Sequence, residues 1–302
     1  MISDYFKKIE TYFGSLTKNQ KDLLNEAKKQ ISAGYKQKSY IYDSRIKKEA
    51  YAIFYGPIYG LQSTISLCNE NSLAFFIRQP DEIFVHGCAH FPESYGLKKL
   101  FSLKKWNLAE SKINLLEREA DWEPLIQKIS MIPRPHFWEI DFIKDKSKAS
   151  KIYSDSKTPL YVFQNCVNEG QNIEIIKTII HCYKEAPKGA IFIISSIIYS
   201  DPGPTLPFPN LPFKGFNSIF EGIQSQIEEI GWSKIKKYND RLCHYPSFTS
   251  VDFKDLTLVQ KSHNHGVHDI FSSVLKPVSD KYKDKYMAIK VTMSFKYILV
   301  RK

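Results

Sequence analysis

From residue 81 to residue 199 the chain alternates between short apolar runs and stretches of helical periodicity. Ile83-Phe84-Val85, Ile113 to Leu116, Phe137 to Phe142, Pro159 to Phe163 and Gly189 to Tyr199 are the β runs. Glu93 to Phe101, Trp122 to Ile129 and Ile173 to Glu185 lie between them with the three- and four-residue spacing of helices. A strand that is apolar on both faces must be covered on both faces. Parallel neighbours also need a long crossover, which a helix normally supplies. The alternation therefore predicts an α/β domain with a mostly parallel sheet between two helical layers.

The flanks read differently. Tyr5, Phe6, Ile9, Tyr12, Phe13 and Leu16, then Leu23, Leu24, Ala27 and Ile31, predict two helices within 1–32, with a break at Gly14 and Ser15. A further helix is expected from Ile46 to Leu67, kinked or ended by Pro57. Residues 202–216 hold five prolines in fifteen positions and are expected to form a loop. Ile219 to Ile230 reads as a helix, and Leu256 to Gln260 and Phe295 to Val300 as β runs around a His/Lys-rich insertion at 261–290. The expected organisation is an N-terminal helical segment, 1–75, followed by the α/β domain, 76–302.

Composition removes several alternatives. In 302 residues, 43% are apolar and 14% aromatic, enough to bury a large core and to exclude wholesale disorder. No apolar run reaches the 18 or so residues of a membrane span. The five cysteines are odd in number and widely spaced, which suggests free thiols in a reducing compartment. No apolar secretory segment follows Met1, so the expected location is the cytoplasm.

In a doubly wound sheet, ligands bind at the carboxyl ends of the strands, and the first strand–helix turn is normally glycine-rich. Here that turn is His86-Gly87-Cys88-Ala89-His90-Phe91-Pro92-Glu93-Ser94-Tyr95-Gly96-Leu97. It resembles the first motif of class I S-adenosylmethionine-dependent methyltransferases, in a subgroup whose turn runs G-C-G-P-G-x-E with a later G-L. Gly87, Cys88, Glu93, Gly96 and Leu97 fit, whereas Ala89 and Phe91 stand where the second and third glycines belong. The resemblance spans about residues 50–302 and rests on the order and spacing of several segments.

The resemblance implies a Rossmann-like, doubly wound sheet of seven strands and S-adenosylmethionine as cofactor, with no metal required. It also assigns expected roles. Residues Gly87, Cys88, Ala89, Phe91 and Glu93 would meet the methionine end. Glu117, ending the second strand in Leu115-Leu116-Glu117-Arg118-Glu119, would bind the ribose hydroxyls, and Trp122 just after it also fits the subgroup. Asp141-Phe142 would meet the adenine end, and Asn165, with Asn168 and Glu169, would face cofactor and substrate after the fourth strand. Tyr51 to Pro57 is similar to the aromatic helix that precedes the core in the subgroup, some of whose members act on RNA. Phe295 to Arg301 fits the usual last strand.

Two other readings compete. Loss of the glycines at 89 and 91 suits a catalytically inactive, methyltransferase-like binding or assembly protein. A metal-dependent hydrolase could draw ligands from His86, Cys88 and His90, which alternate, or from His263, His265 and His268. Cys88 or Cys166 could be a nucleophile only beside a positioned base, and none can be assigned by spacing. Asn165, Asn168 and Glu169 could equally cap the helix after the fourth strand.

The formal net charge is +11. Residues 1–50 carry 11 basic and 6 acidic side chains, and residues 276–302 carry 8 and 2, whereas 51–275 are balanced. A polyanionic partner such as RNA would therefore be gripped by the two ends of the chain. Lysines outnumber arginines 37 to 6, which suits a diffuse electrostatic surface better than bidentate base reading. The aromatic N-terminal helices could stack on nucleic acid, but their spacing is more simply that of core contacts.

Overall fold

The computed structural model describes residues 8–9, 11–37, 42–68, 73, 76–153, 155–164, 166, 173–197, 235–238 and 293–300. The proline-rich loop 202–216, the helix at 219–230, the β run at 256–260 and the insertion 261–290 lie outside the described residues.

The first helical turns end at Ser15, and a new helix, α1 (Lys18–Gln37), begins after Thr17. The break is a reciprocal cap: the Gln20 backbone N–H donates to Thr17 Oγ1 (3.3 Å) and the Thr17 N–H donates to Gln20 Oε1 (2.8 Å). Two N–H groups that no helical carbonyl can reach are thereby satisfied. Helix α2 (Arg45–Cys68) runs straight through Pro57, which does not end it as the sequence leads one to expect. Proline in a helix interior costs about 3 kcal/mol. Burial offsets that cost here, because Ala50, Ala52, Ile53, Ser63 and Leu67 are all within the core.

The five parallel strands are β1 (Glu82–His86), β2 (Lys112–Glu117), β3 (His136–Glu139), β4 (Leu160–Gln164) and β5 (Ile191–Ile197). Between them lie α3 (Glu93–Lys104), α4 (Glu123–Ile129), α5 (Lys146–Tyr153) and α6 (Ile173–Glu185). Two further strands, β6 (Ile235–Tyr238) and β7 (Met293–Val300), extend the sheet, with β7 antiparallel to both β5 and β6. The order across the sheet is β3-β2-β1-β4-β5-β7-β6. β3 and β5 are shorter than the apolar runs that announced them. β6 was not anticipated, since Ile-Lys-Lys-Tyr has neither a long apolar run nor a clear alternation.

Side-chain alternation sorts the strands onto two cores. Ile83, Val85, Leu115, Val162 and Ile193 face one layer, whereas Phe84, Leu116, Tyr161, Phe163 and Phe192 face the other. The first core also contains Ile9, Phe13, Leu24, Ile31, Ile53 and Leu67, so the N-terminal helices share a core with the sheet. Phe13, at 1% exposure, has the core role that its helical spacing suggested. Helices α2 and α3 touch at backbone distance: a Cβ on Gly96 would lie 2.2 Å from Ser63 Oγ and 2.6 Å from its carbonyl carbon. The later glycine of the motif therefore serves helix packing.

Candidate functional site

The strand order reverses at β1. The chain steps outward from β1 to β2 and β3, then returns to the other side of β1 with β4. Such a switch point opens a crevice at the carboxyl ends of the two central strands. Here the crevice is bordered by the turn after β1 and by Gln164 at the end of β4.

The turn after β1 keeps a backbone that normally calls for glycine at three alternate positions. Gly87 has φ +60°, Ala89 +44° and Phe91 +60°. A left-handed residue other than glycine costs roughly 1–2 kcal/mol, so the turn is strained twice. Three hydrogen bonds hold it. The Gly87 N–H donates to Leu116 O (2.9 Å), the Phe91 N–H to Cys88 O (2.6 Å), and the Ala89 N–H to Glu117 Oε2 (2.9 Å). A Cβ on Gly87 would sit 2.9 Å from the Cys166 Cβ, which brings the β1 and β4 ends together as only glycine allows.

Phe91 does not fill the crevice. Its side chain is fully buried in the core that also holds Tyr95, Leu97 and Leu100. The substitution that most threatened the motif has therefore turned its bulk away from the turn.

Glu117 ends β2 and is 8% exposed. Oε2 takes the Ala89 N–H and Oε1 the Arg118 N–H (2.9 Å), so its carboxylate is aimed at the turn. Glu93, the first residue of α3, is 2% exposed, and its Oε2 has no hydrogen-bond partner among the described residues. Burial pushes its carboxyl up to about 8, and the nearby Glu117 charge adds to the rise. Burial also raises the Cys88 thiol well above its ordinary range, with Glu117 and Glu93 both contributing. A thiol held protonated in this way is a poor nucleophile.

Asp141 follows β3 and caps the next turn, its Oδ1 accepting the N–H groups of Ile143 and Lys144 (both 3.2 Å). Phe142 lies beneath the Gly87 turn, with its Cε1 3.9 Å from where a Gly87 Cβ would be, and packs edge-on against His86 (5.1 Å). Asn165, Asn168 and Glu169 lie outside the described residues, as do His263, His265 and His268.

The alternating His86, Cys88 and His90 do not converge as metal ligands. Residues 87, 89 and 91 in the left-handed region break the extended geometry that would place them on one face. His86 stacks on Phe163 (4.0 Å) with Nε2 2.8 Å from the Tyr153 hydroxyl, among the aromatic side chains of one core. His90 instead faces Tyr51 (5.6 Å) and Trp122 (6.2 Å) on the other side. Among the described residues no group of three or more His, Cys, Asp or Glu is arranged to hold a metal. Burial depresses both imidazoles to about 3, so they are neutral at physiological pH.

Several site-lining residues were not singled out from sequence as such. Tyr51, Tyr59, His90 and Trp122 form an aromatic wall where α2 meets the turn, with Tyr51 and Tyr59 5.5 Å apart. Gln164 Nε2 donates to Tyr59 O (2.9 Å), tying the end of β4 to α2. Lys48 of α2 reaches Glu119 (2.8 Å) and Asp121 (2.9 Å) in the segment after β2. Only the aromatic run at 51–55 hinted at this wall in the sequence. The rest requires knowing that α2 lies over the crevice.

No family model matches the sequence, and no curated protein does. Solved structures do resemble the fold. The plantazolicin methyltransferase BpumL in complex with SAH aligns with a TM-score of 0.50 at 11% identity, covering 94% of this chain and 98% of that one. An O-methyltransferase family protein from Burkholderia thailandensis gives 0.47 at 11% identity, covering 77% and 68%. A SAM dependent methyltransferase from Archaeoglobus fulgidus gives 0.42 at 11% identity, covering 80% and 94%. With the strand order above, the alignment with BpumL establishes the Rossmann-like fold of class I methyltransferases.

Proposed function

We propose that this chain is an S-adenosylmethionine-dependent methyltransferase. The observation that carries the reading is the turn after β1, left-handed at 87, 89 and 91 and hydrogen-bonded to the Glu117 carboxylate at the switch point of the sheet. Ala89 and Phe91 replace glycine without replacing the glycine conformation.

The residues present suit the cofactor. The turn has a glycine cradle that a Cβ would fill, and a buried carboxyl oxygen on Glu93 lacks a partner among the described residues. When bound, the cofactor supplies an electrophilic sulfonium methyl. Glu117 would orient the ribose through its two oxygens, which suit two adjacent hydroxyl donors. Asp141 and Phe142 would border the adenine end. The wall of Tyr51, Tyr59 and Trp122 would exclude water. Positioning is the main contribution that the chain makes to a direct transfer. The substrate we infer is RNA, on the strength of the basic excess at 1–50 and 276–302. BpumL, by contrast, is a plantazolicin methyltransferase. The same electrostatic argument and the cysteine pattern favour a cytoplasmic setting.

Calorimetric titration with S-adenosylmethionine tests the cofactor. Saturable heat is expected, and no heat at millimolar ligand refutes the proposal. Binding without transfer of labelled methyl to total RNA would favour the inactive binding protein. RNA affinity that does not fall with added salt would remove the charged ends as the grip.

A further inference from the structure

We propose that Glu93 is the docking group for a ligand ammonium, protonated in the free protein and ionised when the ammonium arrives. The inference rests on the cofactor reading above, the ammonium being that of the cofactor's methionine moiety.

The geometry isolates this carboxyl. Glu93 opens the twelve-residue helix α3 directly after the strained turn, is 2% exposed, and has Oε2 without a hydrogen-bond partner among the described residues. A buried, unpartnered polar atom costs roughly 1–3 kcal/mol and calls for an explanation. Across from it α2 offers Ser63, whose hydroxyl donates to the Glu93 carbonyl oxygen (3.3 Å) and not to its carboxyl. From β2 it meets the Glu117 charge. From the turn its neighbours are Cys88 and His90. On α3 itself the first cations along the chain, Lys98 and Lys99, lie five and six residues away, beyond the first turn. The surroundings therefore hold Glu93 neutral: burial and the Glu117 charge both raise its carboxyl, to about 8.

An ammonium placed on Oε2 reverses that balance, since an opposite charge at contact distance favours the carboxylate. The Glu93 proton then passes to solvent as the ion pair forms. His90 is already neutral, and Cys88 stays protonated, so neither supplies the proton.

The test is titration with S-adenosylmethionine in buffers of different ionisation enthalpy, which counts protons released per ligand bound. Linkage from the raised carboxyl gives about 0.9 proton released at pH 7.0, and an affinity roughly 20-fold weaker at pH 6.0 than at pH 7.5. Glu93→Gln should bring the release close to zero and flatten that pH dependence. In the wild-type protein, difference infrared spectra should show a protonated carboxyl band lost on binding. Binding with no proton released, or with undiminished release in the Gln variant, overturns the inference and leaves the cofactor reading standing. Absence of binding at every pH overturns both.

Discussion

Replacing Phe91 by glycine tests whether the turn is a blocked motif or an intact one with an unusual sequence. The side chain is fully buried, and removing a buried phenylalanine costs about 3–5 kcal/mol. Two smaller effects act on the backbone. Glycine relieves the left-handed strain at φ +60°, worth roughly 1–2 kcal/mol, but it also enlarges the unfolded ensemble, worth roughly 0.5–1 kcal/mol. The net expectation is a loss of about 2–4 kcal/mol. In urea, with a slope of roughly 3 kcal/mol/M, the midpoint should fall by about 1 M. Ala89→Gly is the matched control. It relieves the same kind of strain at φ +44° and removes only a methyl, so its stability should stay within about 1 kcal/mol of wild type or exceed it. Cofactor affinity, measured calorimetrically, should not rise in Phe91→Gly. A variant that unfolds at the wild-type midpoint and binds the cofactor more tightly would mean that the ring occupies the crevice, and the reasoning would be wrong.

Gly96→Ala should destabilise by about 1–3 kcal/mol in the same urea assay, because the new methyl meets Ser63 backbone and α2 must move; stability equal to wild type would contradict that packing. Glu117→Gln should weaken S-adenosylmethionine binding at least tenfold, and should lower stability by about 1–2 kcal/mol through the weaker acceptor for the Ala89 and Arg118 N–H groups. Stability should also peak near pH 6.5. His86 and His90 are held neutral in the fold, down to about 3, whereas the unfolded chain takes up protons below about 6.5, so acid lowers stability there. Glu93 is held protonated up to about 8 in the fold but ionises near its ordinary value when unfolded. Its contribution therefore falls as pH rises through that window. Denaturant midpoints across pH 4–9 check the peak, and Glu93→Gln should remove the decline on the alkaline side.

The parallel part of the sheet was legible because burial on both faces leaves near-continuous apolar runs in the sequence, and β1, β2 and β4 coincide with such runs. β6 carried no such trace: it is four residues long, with lysines at its centre. Pro57 misled for a physical reason. Local sequence reports the lost N–H, not the core against which α2 packs, and here the packing prevails. For the site, the strand-end positions of Gly87 and Glu117 followed from spacing alone. The convergence of Glu93, Glu117 and the aromatic wall did not, because it depends on α2 crossing over a turn that begins more than twenty residues after that helix ends.

Residue order alone determined the layered α/β class, the position of the ligand turn and the confinement of the basic excess to the two ends, since these follow from periodicity, strand succession and composition. Tertiary structure decided what Ala89 and Phe91 mean. A sequence position specifies a side chain but not its direction, and the same phenylalanine could have blocked the crevice or anchored the core. It lies in the core because apolar surface is removed from water there, while hydrogen bonds to Glu117, Leu116 and Cys88 hold the backbone in a conformation that glycine would adopt with less strain.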